Sequence, residues 1–218
     1  MDNIHKLAMN KSNYFSGINL LRVLACLLIV SFHYYPAAGG GFFTKVPLIN
    51  LLVANGNLMV NLFFMISGFC IAANYKNKLM NGMTFKSYFI KHYLKFVSLS
   101  LLTIPISVIK QAAVYKATLD MTHITFTDII KDILCIRYGW FPNSTMPYNG
   151  SLWFVNILLI MYLMYFFCCK ISNHYVEICV LFVLLGFLLK SNDVIVLPFF
   201  NKFAASGYYN FFCRNTII

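Results

Sequence analysis

Residues 18–33, INLLRVLACLLIVSFH, are the stretch from which the architecture of this chain follows. The run is apolar enough for a helix that lies in lipid, yet it contains Arg22 and ends at His33. An arginine near the centre of a membrane helix costs about 2.5–3.5 kcal/mol to insert, and such residues almost always face a bundle interior or a water-filled cavity. The stretch therefore predicts a membrane-spanning helix whose polar residues face the interior of a bundle or a water-filled cavity.

The spacing between Arg22 and His33 places both side chains on one side of this helix. Eleven residues at 100° each rotate the helix by roughly 1100°, about 20° beyond three full circles, and rise about 16 Å. Such a face can line a polar cavity, with Arg22 as an anion anchor and neutral His33 as a general base or acyl carrier. The alternative is an arginine that snorkels to the inner interface and a histidine at the outer one.

The composition of the whole chain indicates a polytopic membrane protein. Of its 218 residues, 60% are hydrophobic and only 11% are charged, and the mean hydropathy is +0.73. Soluble domains carry about 25% charged residues. The net charge of +11 comes from basic residues beside apolar segments, which indicates positive-inside topology rather than nucleic-acid binding. The seven cysteines contain no C-x-x-C pair and indicate small buried residues, not a disulfide framework or a metal site.

The hydropathy pattern predicts an all-α bundle of five to six spans over residues 17–213, after a cytoplasmic segment over residues 1–16. A lysine-rich stretch without acids follows the second span, and it places the N-terminus in the cytoplasm. Residues 127–134 predict a short amphipathic helix on the outer surface. The predicted spans lie near 17–36, 56–74, 93–109, 151–169 and 175–190, with a weaker sixth at 194–212 interrupted by Pro198 and Gly207.

Lys91, His92 and Lys95 form a basic run before the third span. Lys91 and Lys95 are four residues apart and share a helix face, which can bind phosphate groups. Taken alone, such a run more commonly reflects topology.

Four further polar or aromatic residues are candidates for substrate contact. Asn61 and Ser67 lie within the second span, and Tyr148 and Trp153 flank the outer start of the fourth. No base lies near Ser67 in sequence, which argues against a serine nucleophile. Trp153 predicts either an interfacial anchor or a surface on which a sugar ring stacks.

In this order, the motifs resemble those of the membrane acyltransferase 3 family, bacterial O-acyltransferases that modify cell-surface glycans. The resemblance covers roughly residues 17–170. It rests on Arg22-x10-His33, on NLFFMISGF at residues 61–69, on YFIKHYLK at residues 88–95 and on SLWFV at residues 151–155.

The resemblance implies an acyl-CoA donor, usually acetyl-CoA, on the cytoplasmic side and a sugar hydroxyl of a lipid-linked or exported glycan as acceptor. The family's essential arginine and histidine correspond to Arg22 and His33, and its paired donor-binding arginines to His92 and Lys95. Here the pair departs from the family, because His92 is charged only when protonated and Lys95 lacks the bidentate guanidinium. Asn156 stands where the family often has a glutamate, and it cannot act as an acid or base.

The protein expected from these observations is an integral inner-membrane O-acyltransferase without a bound cofactor or metal. Its partners are acyl-CoA, a glycan or lipid-linked sugar, and membrane lipids. The family has more helices than this chain predicts, so a truncated or frameshifted product is also expected. The alternatives are a non-enzymatic transport or export component and an inactive remnant. The expected site residues are Arg22 and His33 for catalysis, Lys91, His92 and Lys95 for the donor, and Asn61, Ser67, Tyr148 and Trp153 for the acceptor.

Overall fold

The described part of the chain is built from α-helices, which confirms the predicted all-α class. A computed structural model describes residues 17–32, 47, 51, 55–118, 125–141, 144–171, 174–192, 195 and 197–213. The helices are α1 (Gly17–Phe32), α2 (Asn57–Met80), α3 (Phe85–Thr118), α4 (Phe126–Ile133), α5 (Leu152–Lys170), α6 (Tyr175–Ser191) and α7 (Ala205–Cys213).

Within the described residues, three helices are long and apolar enough to cross a membrane: Leu58–Met80, Phe85–Ala113 and Leu152–Lys170. α1 is a shorter apolar helix, and its predicted continuation to residue 36 lies outside the described residues. α3 contains the predicted span 93–109 with Pro105 inside it, and the helix extends beyond these bounds at both ends, from its lysine-rich start to Thr118. Hydropathy marks only the apolar middle of such a helix, whereas the helix itself extends into its polar ends.

The weak sixth span predicted at 194–212 is not a continuous helix. The described part of residues 195–204 is irregular, and α7 contains only nine residues. Pro198 and the left-handed backbone of Phe199 (φ 64°) stand before α7. Proline removes a backbone donor, and a left-handed residue cannot continue a right-handed helix. Gly207 lies inside α7, where it contacts the side chains of Ile157 and Met161.

The chain forms two compact units, residues 1–67 and 68–218, and their boundary falls within α2. In the first unit, Gly56 lies directly against Phe32 and Leu28 of α1, so that an added Cβ would clash with the Phe32 side chain. Only glycine permits this approach between the end of α1 and the start of α2.

In the second unit, α5 is the central helix. It is apolar on all sides, and most of its residues are buried, as expected for a helix surrounded by others. α3, α6 and α7 pack against it. Close approach again depends on glycine, because Gly68 lies against the backbone of Phe211 and Gly186 against the backbone of Tyr209. Four of the seven cysteines are buried in this unit.

The amphipathic helix predicted at 127–134 is α4. It packs lengthwise along α3, where the Ser100 hydroxyl donates a hydrogen bond to the carbonyl oxygen of Ile133. The Tyr93 hydroxyl donates to the carbonyl oxygen of Leu134 at 3.2 Å. Burial of Ile129 and Ile133 against the apolar cluster of α3 and α5 explains this position.

The chain after α4 turns and returns along the same helix. Cys135 makes the turn with a left-handed backbone (φ 53°). At the other end of the segment, the Gln111 amide of α3 donates to the carbonyl oxygen of Tyr148 at 2.9 Å. Gln111 and Ser100 are about 16 Å apart along the helix axis. The loop over residues 125–151 therefore reaches deep beside the spanning helices, and it positions the polar groups described next.

Candidate functional site

Arg22 lies on the less exposed side of α1. Arg22 and Ile29 are half-buried and Ala25, between them on the same face, is fully buried, whereas Leu20 and Leu24 are exposed. The face that carries Arg22 is thus the one covered within its unit. His33 follows Ile29 by four residues and lies outside the described residues, so its predicted role stays a prediction.

Asn61 and Ser67 are half-buried residues of α2. Ser67 directly precedes Gly68, the residue at the close contact with α7. Their predicted contact with the acceptor stays a prediction.

The residues of the basic run, Lys91, His92 and Lys95, lie in two different environments. Lys91 and Lys95 are exposed on α3. His92, between them, packs against three tyrosine rings, with centroid distances of 5.0 Å to Tyr75, 5.4 Å to Tyr88 and 5.0 Å to Tyr162. Its Nε2 atom is buried, and no described residue forms a hydrogen bond with it. The two lysines, rather than His92, therefore present cations at the surface.

Tyr148 is buried, with 8% of its surface exposed. Its hydroxyl oxygen accepts a hydrogen bond from the Thr125 backbone N–H at 2.9 Å. Its ring lies 4.7 Å from the Arg137 guanidinium, a cation–π contact. These contacts attach the loop before α5 to the start of α4, and they give Tyr148 a position inside the loop.

Trp153 is half-buried at the start of α5, at the edge of a group of aromatic rings. Its ring meets Tyr138 edge-on at 6.1 Å, and Tyr138 packs against Phe203 at 4.9 Å. The predicted contact of Trp153 with a sugar stays a prediction.

Sequence reasoning missed a buried ionic cluster inside the loop. Arg137 Nη1 lies 3.0 Å from Asp132 Oδ2, and its Nη2 lies 3.3 Å from Asp128 Oδ2. The same guanidinium donates to the Thr145 hydroxyl from Nε at 3.1 Å and from Nη2 at 2.7 Å. Arg137 is 7% exposed and Asp132 is fully buried. The available signal was a pair of opposite charges five residues apart in a mostly apolar stretch.

Asn156 organises the turn after this cluster. Its side-chain oxygen accepts hydrogen bonds from the backbone N–H groups of Arg137 at 2.7 Å and Tyr138 at 3.3 Å. Its amide nitrogen donates to the Leu152 carbonyl at 2.7 Å, and its own carbonyl accepts from the Trp140 indole at 3.1 Å. A glutamate has no donor for the Leu152 carbonyl when ionised, so the amide is the better match for this turn.

The two carboxylates of the cluster titrate in opposite directions. Burial raises the pKa of Asp132, and the Tyr148 N–H and Arg137 only partly offset this effect. For Asp128, burial also acts to raise the pKa, but the Thr125 hydroxyl and the charges of Arg137 and Lys131 together outweigh it, and the pKa is lowered. In the part of the chain that the structure describes, no group of three or more His, Cys, Asp or Glu side chains is arranged to hold a metal ion.

Comparison with known protein families decides the assignment. The family model described as an acyltransferase domain matches residues 15–215, which include both units and all seven helices named above. The chain belongs to the acyltransferase 3 family. The match extends beyond residues 17–170, over which the motifs alone carry the resemblance. Searches among curated proteins and among solved structures found no match. Acyltransferase 3 membership indicates acyl transfer at a membrane as the class of activity.

Proposed function

We propose that this chain is a membrane O-acyltransferase that moves an acyl group, acetyl in the simplest case, from acyl-CoA to a hydroxyl of a cell-surface polysaccharide or glycolipid. The family match over residues 15–215, which includes Arg22 and the position of His33, carries this proposal. Its location is the bacterial inner membrane, with the N-terminus in the cytoplasm, where the lysine-rich start of α3 would also lie.

The donor side of the proposal rests on three cations. Lys91 and Lys95 are exposed and share one helix face of α3, and they would bind the phosphates of the donor as point charges. Arg22, on the covered face of α1, would hold a further anionic group. His92, enclosed by tyrosine rings, contributes packing rather than a free cation to this face.

The chemical step is assigned to His33. Neutral His33 accepts the proton of the acceptor hydroxyl while that oxygen attacks the thioester carbonyl carbon. The carbon–sulfur bond breaks, an ester bond forms, and the CoA sulfur leaves with the proton that His33 received. On the acceptor side, Trp153 and the neighbouring aromatic rings support the proposal because they offer stacking surfaces for a sugar. Tyr148 would contact the acceptor from its position in the loop. Asn61 and Ser67 would line the path of the acceptor.

Membrane vesicles that contain the chain provide the test. With radiolabelled acetyl-CoA supplied on the cytoplasmic side, label should pass to the glycan fraction, and vesicles without the chain should transfer none. Lys91→Ala combined with Lys95→Ala should raise KM for the donor, because it removes binding that is equal in the ground and transition states. Lys110→Ala, an exposed lysine farther along the same helix, is the matched control. Passage of glycan across the membrane without acyl transfer would instead support a transport component.

A further inference from the structure

The Asp132 carboxylate has one satisfied and one unsatisfied oxygen. Oδ2 accepts hydrogen bonds from Arg137 Nη1 at 3.0 Å and from the Tyr148 backbone N–H at 2.7 Å. Oδ1 is buried and has no hydrogen-bond partner among the residues that the structure describes, and the whole residue is buried. A buried ion with an unpartnered oxygen is costly, whereas a neutral carboxylic acid in the same place costs less.

The charges around Asp132 do not balance in the interior of the loop. Arg137 is the buried cation, and it is shared between Asp132 and Asp128. Lys131 adds a charge on the open side, where it is 44% exposed and 3.6 Å from Asp128. The titratable and charged groups around Asp132 are Asp128 and Lys131 from α4, Arg137 and Cys135 from the turn, and Tyr148 from the returning loop. Nearby, Tyr93 of α3 donates to the Leu134 carbonyl, and uncharged Asn156 of α5 accepts from the Arg137 backbone N–H.

We infer that Asp132 is a proton-binding site, in which the proton resides on Oδ1 while Oδ2 keeps its two hydrogen bonds. Protonation there displaces no donor of the described part of the chain, because none of its donors bonds to Oδ1. Once Asp132 is neutral, Asp128 is the anion that remains paired with Arg137. The loop between α4 and α5 therefore stays attached through Arg137 and Tyr148 when the medium becomes acidic.

The sign of the effect of pH on folding stability follows from the direction in which folding shifts each pKa. The folded state raises the pKa of Asp132, so it binds this proton more tightly than the unfolded chain, and the contribution of Asp132 to stability increases as pH falls through its folded pKa. Asp128 behaves in the opposite way, because its pKa is lowered and its contribution is lost in acid. The two residues thus form a matched pair with opposite expected signs.

Infrared spectroscopy of the full chain in lipid vesicles tests this inference directly. The chain has only six acidic side chains, so the carbonyl stretch of a protonated carboxylic acid can be assigned by substitution. The wild type should show this band at a pH above that at which free aspartate protonates. Asp132→Asn should abolish it, and Asp128→Asn should retain it. A band that persists in Asp132→Asn, or a wild type without such a band, would overturn the inference.

A second measurement covers the case in which Asp132→Asn does not fold. The negative charge of Asp128 helps to raise the pKa of Asp132. Asp128→Asn should therefore shift the appearance of the band to lower pH, and an unshifted band would contradict the site. Hydrogen exchange at the Tyr148 amide, whose N–H donates to Oδ2, should retain its protection factor in acid. Loss of that protection as the band appears would likewise refute retention of the two hydrogen bonds.

Discussion

Replacement of Arg137 by leucine should be among the most destabilising changes in the second unit. The guanidinium contacts Asp132 at 3.0 Å, Asp128 at 3.3 Å and the Thr145 hydroxyl at 2.7 Å. Among the described residues, its removal leaves the fully buried Asp132 with the Tyr148 N–H as its remaining hydrogen-bond partner. Loss of one partner of a buried ion pair costs about 3–5 kcal/mol because the remaining charge is uncompensated.

The two tryptophans of the chain make this loss measurable. Trp140 donates its indole N–H to the Asn156 carbonyl, and Trp153 packs against Tyr138, so both report on the region beside Arg137. For a chain of this length, a loss of 3–5 kcal/mol corresponds to a fall in the unfolding midpoint of roughly 6–20 °C. Thermal unfolding in detergent at neutral pH, followed by tryptophan fluorescence, provides the assay.

Two variants separate charge from packing. Lys131→Leu removes a solvent-exposed ion pair in the same cluster and should cost under about 1 kcal/mol. The double variant Asp132→Asn with Arg137→Leu should recover a substantial part of the loss, because no unpaired buried charge remains. If Arg137→Leu shifts the midpoint no more than Lys131→Leu, or if the double variant is as unstable as the sum of its parts, the reasoning is refuted.

Three further outcomes follow from single contacts. Gly68→Ala forces a Cβ against the carbonyl of Phe211 and should lower the free energy of unfolding by about 1–3 kcal/mol, as measured by thermal unfolding. Gly150 has open space around it, so Gly150→Ala should change the free energy of unfolding by no more than about 0.5 kcal/mol. Asn156→Leu removes the acceptor of two backbone N–H groups, should cost about 1–3 kcal/mol, and should change tryptophan fluorescence; an unchanged midpoint and spectrum would exclude this role. The folded state lowers the pKa of Asp128, so the wild type loses stability as pH falls below the ordinary pKa of aspartate. Asp128→Asn should reduce this loss. An unchanged dependence of stability on pH in the acid range would contradict the prediction.

The spanning helices were accessible to sequence analysis because lipid imposes a simple length and hydropathy rule. α5 begins and ends within a residue of the predicted span 151–169. α6 matches the bounds 175–190 equally well, but it is shorter than the three described helices that are long enough to cross a membrane. The rule does not give the full helix where a helix continues beyond its apolar part, as at the lysine-rich start of α3. It also placed an interruption at Gly207, which lies inside α7.

The buried cluster was not accessible in the same way. Asp132 and Arg137 stand in a mostly apolar stretch that also carries Asp128 and Lys131, and such an amphipathic pattern is typical of a surface helix as well as of a buried network. Their burial depends on the position of α4 and of the returning segment along α3. Hydrogen bonds of Ser100 and Tyr93 hold the end of α4, and the Gln111 amide holds the returning segment at Tyr148. Such long-range side-chain contacts leave no periodic pattern in the sequence. Asn156 was recognised as a departure from the family, but its role in the turn required the geometry.

The acetyl content of the surface glycan in cells that produce His33→Ala or Arg22→Ala tests the proposed reaction most directly. Loss of a general base lowers the rate by about 100- to 10,000-fold, so His33→Ala should leave almost no transfer from labelled acetyl-CoA. Arg22→Ala should also abolish transfer, whereas His174→Ala and Cys26→Ala, both exposed, should retain it. Undiminished glycan acetylation by His33→Ala and Arg22→Ala would contradict the proposed mechanism.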